Sequence, residues 1–221
     1  MRRGQLFFLF LVIAAGVSVW AFHQDMSLRS WIVERQGGLL WKGSEEARIY
    51  GAVRSYGDWP WLMLCGVVGL GVSWFRRNPK WTRIFVAAMV ASSLAGVLAN
   101  VSRLTTGRTR PRVDYHNIPP GFYGPFHSGQ CLIGEPDFNS FPSGHTATAV
   151  GFAVPVLLAA PVAGIVVMSG AVAIAWASIY IGAHHFSDVT VSFFLACLVG
   201  YVTWRVVVVR GFPSFEKWKR K

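Results

Sequence analysis

Ser140-Phe141-Pro142-Ser143-Gly144-His145-Thr146 marks the point where the longest polar stretch of the chain, 103–142, gives way to its longest apolar run, Thr146 to Ala183. That run is too long for one membrane crossing of about 20 residues. Pro161, beside Ala159 and Ala160, is therefore predicted to turn it into a helical hairpin with spans near 144–160 and 163–182. The junction itself reads as a helix start. Ser143 suits an N-cap, Gly144 allows close backbone approach, and the first free N–H groups of the helix then face any anion in front of them. His145 adds a proton donor or acceptor in the first turn.

Working outward, four further apolar runs appear: Leu6–Phe22, Trp59–Phe75, Ile84–Val101 and Val189–Val209. The first, behind Met1-Arg2-Arg3, is open to two readings, a signal peptide cleaved after Val19-Trp20-Ala21 or a retained helix. The topology below needs the retained helix. Residues 23–58 combine loosely spaced apolar side chains with Gly37-Gly38 and a helix start at Ser44-Glu45-Glu46, and read as an interfacial segment. The expected fold is all-α: a polytopic membrane protein of six transmembrane helices. It is read as one integral-membrane domain over 1–221, with a core at 84–209 and a cytoplasmic tail at 210–221.

Composition supports this. Of 221 residues, 53% are hydrophobic and only 14% are charged, against about 25% charged in soluble domains. Mean hydropathy is +0.42. The net charge of +11 would suggest nucleic acid in a soluble chain; here it points to basic residues on the cytoplasmic side of a bilayer, with no nucleic-acid partner. The three cysteines, Cys65, Cys131 and Cys197, do not make a disulfide framework. With both termini in the cytoplasm, Arg2-Arg3, Arg76–Arg83 and the tail all fall inside. Loops 23–58, 103–142 and 184–188 fall outside.

That parity puts three polar clusters at one face: Arg103 to Arg112, the Ser143 junction, and His184 to Asp188. Four arginines there run against the charge rule for topology and are better explained by anion binding. Guanidinium matches phosphate oxygens in a bidentate fork and stays charged. Arg103 and Arg110 are seven residues apart, about two helical turns, so both can face one way. His184 and Asp188 are four apart, a spacing that permits an imidazole–carboxylate hydrogen bond and leaves the other ring nitrogen free as nucleophile or base. His145 is then placed to serve the leaving group. The bland reading of these residues is interfacial anchoring and a structural hydrogen bond. His23, His116 and His127 read as solvated loop residues, and His185 would point away from its neighbours.

Taken together, these residues resemble the type 2 phosphatidic-acid phosphatase family, related to the vanadium haloperoxidases. The family's first signature, Lys-x6-Arg-Pro, is met by Arg103 and Arg110-Pro111; the second by Pro142-Ser143-Gly144-His145; the third, Ser-Arg-x5-His-x3-Asp, by Ala177-Ser178, His184 and Asp188. The resemblance implies that His184 attacks phosphorus to form a phosphohistidine, Asp188 orients it, and His145 protonates the leaving group. Arg103, Arg110, Ser143 and Gly144 would hold the phosphate, with neither metal nor cofactor. Two departures stand out. Arg103 replaces Lys, and Ser178 replaces an arginine, so one phosphate-binding cation is missing; Arg108 or Arg112 is the expected replacement.

The expected activity is hydrolysis of a lipid phosphomonoester or diphosphate: undecaprenyl diphosphate, phosphatidylglycerol phosphate, phosphatidic acid or a lipid A phosphate. The loop 113–141 should overhang the site and choose among them. Alternatives are a lipid phosphotransferase using the same intermediate and a non-catalytic lipid carrier. The expected location is a bacterial inner membrane, with the site facing the periplasm.

Overall fold

The computed structural model describes residues 3–37 and 45–211. Met1-Arg2, residues 38–44 and the basic tail from Phe212 onward, all used in the topology argument, lie outside the described residues. Helices α1 (Arg3–Arg35), α2 (Glu45–Ser55), α3 (Trp59–Phe75), α4 (Pro79–Thr106), α5 (Gly144–Ala159), α6 (Pro161–Tyr180) and α7 (Phe186–Trp204) account for nearly all the regular structure. A π-helical turn, Arg205–Val209, prolongs α7.

The helix ends follow local chemistry. Asn78 caps α4 by accepting from the Trp81 amide at 3.3 Å, with Pro79 at the first helical position, where its missing N–H costs nothing. The far end of α4 closes on Gly107 in the left-handed conformation (φ 53°), and an added Cβ there would sit 2.0 Å from the Gly124 carbonyl oxygen. Ser143 caps α5, and Pro161 begins α6 directly after α5 ends, as the hairpin reading requires.

One expectation needs correction. Residues 23–35 do not form a separate interfacial segment but continue α1, which runs unbroken for 33 residues. From residue 23 onward no glycine or proline occurs until Gly37, which has φ 71°. Of the proposed interfacial region, only Glu45–Ser55 is an independent helix among the described residues.

α5 sits at the centre, with Thr146 through Val156 all buried. It packs against α4, α6 and α7. α4 presents a stripe of small residues, Ala88, Ala91, Ala95 and Ala99, each fully buried. The contact is tight enough that a Cβ on Gly151 of α5 would lie 2.9 Å from the Ala91 carbonyl oxygen. Close approach through small residues is the usual way helices associate when lipid removes the hydrophobic drive. The outer surfaces of α1 and α3 expose large apolar side chains such as Leu6, Phe8, Val67 and Phe75.

Among the described residues, four helices are long and apolar enough to cross a membrane: α1, α4, α6 and α7 with its extension. α3 and α5 are apolar but shorter, with 17 and 16 residues. At 1.5 Å per residue each is about 25 Å long, a little under the ~30 Å hydrocarbon thickness. For α5 the shortness has a reason: enclosed by its neighbours, it has almost no lipid-facing surface to match.

Candidate active site

The three polar clusters converge at one end of the bundle, where α4 ends and α5 and α7 begin. The segment 107–143 is threaded through this end by backbone bonds. Ser140 N–H donates to the Arg108 carbonyl (3.1 Å), Arg112 N–H to the Gly182 carbonyl (3.1 Å), and Ser143 N–H to the Asp188 carbonyl (3.3 Å). A short hairpin, β1 (Phe126–His127) with β2 (Gln130–Cys131), lies within it. The three cysteines are free thiols.

His184 is fully buried. Its Nδ1 lies 2.7 Å from the Ser140 carbonyl oxygen. A carbonyl only accepts, so Nδ1 carries the proton and Nε2 keeps its lone pair; the tautomer follows from the partner. That Nε2 is buried with no hydrogen-bond partner. Burial, the dominant effect, pushes the His184 pKa down to about 3, with Asp188 opposing the shift. The ring is thus a neutral imidazole with an unengaged lone pair.

Asp188 stands 3.8 Å from Nδ1, too far for a hydrogen bond. The expected direct His184–Asp188 bond is therefore replaced by a relay. Asp188 Oδ2 accepts from the Ser140 hydroxyl (2.5 Å) and the His185 amide (2.7 Å), while the Ser140 carbonyl holds the ring. Asp188 acts on His184 through the field and through Ser140.

Arg108 is not a spare phosphate ligand. It is buried, donates through Nη1 to Asp188 Oδ1 and to Ser187 Oγ (2.7 Å), and through Nη2 to Asp25 Oδ2 (2.7 Å). The rings of Phe22, Phe122 and Phe141 surround its guanidinium within 6 Å. It is the shared counterion of two buried carboxylates and cannot swing toward Ser178. Arg112 remains at the rim, 3.6 Å from Asp137.

Arg103 and Arg110 do face the site. Arg103 donates Nε–H to the Pro142 carbonyl (2.8 Å), which leaves its Nη2 buried and unpartnered. It lies so close over Gly144 that a Cβ there would be 2.9 Å from Nη2. Arg110 donates Nη2–H to the Asn139 carbonyl (3.2 Å) and keeps Nε buried without a partner. Burial and the charges of Arg112, Arg103 and Arg54 lower the Arg110 pKa to about 10. Ser143 spends its hydroxyl on Thr146, 2.9 Å from that side-chain oxygen. Its visible part is the cap, while Gly144 is the floor under Arg103.

His145, one residue into α5, meets two groups that spacing did not reveal. Arg54 Nη2 lies 3.1 Å from its Nδ1, and Asp58 Oδ1 lies 2.6 Å from its Nε2. Both belong to the end of α2 and the turn into α3. Spacing does not single out Asp25 either, although a carboxylate in an apolar helix is itself a signal. Its Oδ1 accepts from the Ser187 amide at 2.8 Å. Ser178, the position without its arginine, is buried and donates to the Ile174 carbonyl (2.9 Å).

Comparison with known proteins adds three findings. A lipid A 1-phosphatase from Rhizobium johnstonii is 30% identical over 120 residues, covering 54% of this chain and 43% of that protein. The match thus spans less than half of that relative. The crystal structure of a transmembrane PAP2 type phosphatidylglycerolphosphate phosphatase from Bacillus subtilis superposes with a TM-score of 0.60 at 20% identity, covering 96% of this chain and 97% of that one; the two share a fold. The PAP2 superfamily profile matches residues 81–212, the stretch that carries all three arginine and histidine clusters, and the chain belongs to that superfamily.

Proposed function

We propose that the protein is a membrane lipid phosphatase that works through a phosphohistidine on His184. The observation that carries this is the buried, unpartnered Nε2 lone pair of His184 beside the unpartnered nitrogens of Arg103 and Arg110. Buried polar atoms are normally satisfied. A cluster of unmatched donors around a bare nucleophile is what a phosphate would complete.

In this mechanism Arg103, Arg110 and the first turn of α5 hold the non-bridging oxygens and the charge that develops on them. The Nε2 lone pair forms the N–P bond as the P–O bond to the lipid breaks. The electron pair leaves with the lipid oxygen, and protonated His145 gives it a proton. Water then attacks phosphorus, passes a proton to His145, and the N–P bond breaks with its pair returning to Nε2. Asp188 steadies the positive charge on the His184 ring through the Ser140 relay. No metal or cofactor enters these steps.

The proposed setting is the bacterial inner membrane, with six spans, both termini cytoplasmic and the site at the periplasmic face. The candidate substrates are undecaprenyl diphosphate, phosphatidylglycerol phosphate, phosphatidic acid and lipid A phosphates. The two relatives named above, each named for removing phosphate from a lipid, support this class. The test is phosphate release from that panel by purified protein in detergent. Release by the wild type and none by His184→Ala is expected. Equal release by the two, or none from any lipid, overturns the proposal.

A further inference from the structure

The family's third signature expects a phosphate-binding arginine where α6 carries Ser178, and Arg108, one of the two expected replacements, is locked elsewhere. We infer that Arg54, on helix α2, supplies the missing cation. This rests on the phosphatase reading above.

Three observations carry it. Arg54 reaches the site directly, with Nη2 3.1 Å from His145 Nδ1. Its Nε is buried and has no partner. Nε and Nη2 form one edge of the guanidinium, the edge that binds two oxygens of a phosphate side by side. One half of that edge is open, and the other is held by a neutral ring nitrogen. Lastly, Arg54 lies close enough to Arg110 for its charge to disfavour that one, and Arg112 in turn disfavours the charge on Arg54. Half-exposed Asp58 and Asp137 from the adjoining turns, and buried Asp188 at the start of α7, are the acidic groups facing these cations. So dense a group of cations favours an incoming anion.

The fold explains how α2 delivers it. The α2–α3 turn is pressed onto α6 at Ile174, where a Cβ on Gly57 would lie 2.5 Å from the Ile174 side chain. The Gly57 carbonyl also accepts from Thr148 of α5 (2.8 Å). Ile174 is one helical turn from Ser178, whose hydroxyl bonds its carbonyl. Tyr50 stacks on Tyr180 (4.2 Å between ring centres), and Tyr180 donates to Glu46 (2.5 Å). α2 is thus docked along α6 beside the vacated position, and a cation reaches the phosphate from α2 instead of α6.

The contact with His145 gives Arg54 a second effect. A guanidinium only donates, so in the empty site His145 Nδ1 is bare and Nε2–H donates to Asp58. A phosphate that takes the Nε–Nη2 edge frees Nδ1 to bind a proton from solvent. His145 then becomes the imidazolium that the leaving group needs. Substrate binding and arming of the acid are coupled through one side chain.

The test uses full-length protein in detergent with the panel lipid it hydrolyses, and inorganic phosphate as the binding probe. Arg54→Ala should lower kcat/KM about ten- to hundredfold and weaken inorganic phosphate binding about tenfold, the range for losing one charge-assisted contact. Exogenous guanidinium should restore part of the rate. Arg48→Ala, on the exposed side of the same helix, should match the wild type. Should Arg54→Ala lose its melting transition, Arg54→Gln keeps a polar contact to His145 without the charge and faces the same comparison. A folded variant with kcat/KM and phosphate binding within about twofold of wild type overturns the assignment. An active wild type with an indifferent Arg54→Ala sinks Arg54 alone. Absence of His184-dependent release sinks the phosphatase reading, and direct phosphate binding still decides Arg54.

Discussion

Replacing Arg108 by Ala separates the structural reading of that residue from a substrate-binding one. Arg108 neutralises Asp25 and Asp188, which are 5% and 0% exposed. Removing one partner of a buried ion pair costs about 3–5 kcal/mol, because a charge is left behind without its counterion. Here two carboxylates lose a partner, but each keeps neutral donors. Asp25 retains the Ser187 amide (2.8 Å) and hydroxyl (2.6 Å). Asp188 retains the Ser140 hydroxyl and the His185 amide. The cost should therefore fall near the low end, about 3 kcal/mol, or a drop in Tm of roughly 6–12 °C for a chain of this size. The assay is thermal unfolding of purified protein in detergent, paired with phosphate release below the transition. Double substitution with Asp25→Asn should recover part of the loss, since it removes one of the two stranded charges. A Tm unchanged in Arg108→Ala, with KM raised instead, would refute the counterion role and return Arg108 to the phosphate.

Gly144→Ala should act on activity more than on stability. The new Cβ meets the guanidinium end of the Arg103 side chain at 2.9 Å, so the guanidinium shifts and phosphate binding weakens, by about tenfold in kcat/KM, while the melting curve stays in place. Gly151→Ala should do the reverse. Its Cβ meets the α4 backbone at Ala91 at 2.9 Å, and overpacking of that kind costs about 1–3 kcal/mol, visible as a lowered Tm. The pH dependence follows from His184. In the unfolded chain a histidine binds a proton below its ordinary value near 6.5, whereas the native ring resists protonation down to about 3. The unfolded state therefore binds more protons within that window, and stability falls as pH drops through it. Melting at pH 7 and pH 5 should show a smaller difference in His184→Gln than in the wild type; an equal difference would count against a neutral buried ring.

Most of the helical frame is legible in the residues. Trp59–Phe75 is bounded by Asp58 on one side, with Pro60 in its first turn, and by Arg76-Arg77 on the other, and the helix observed there has the expected ends. Pro161 turns the long apolar run where expected, and Ser143 caps α5. These are local matters of hydropathy, capping and backbone geometry, settled within a few residues. The full length of α1 is not legible in the residues, because polar side chains such as Asp25 and Arg29 interrupt its apolar pattern without ending the helix. They are paired inside the protein, Arg29 with the Pro111 carbonyl (2.7 Å) and Asp25 with Arg108.

What the sequence determined unaided is the class of the molecule and the gathering of its clusters at one face, since alternation of spans orders the loops whatever the packing. It also supplied the bare chemistry of histidines among arginines. What only the tertiary structure decided is which charge meets which. Arg54 and Arg108 are alike in composition, yet one opens an unpartnered edge beside His145, and the other is spent between two carboxylates. Those contacts join residues some 80 to 90 positions apart. A guanidinium finds its partner by where helices α1, α2 and α7 come to rest, and no spacing along the chain carries that information.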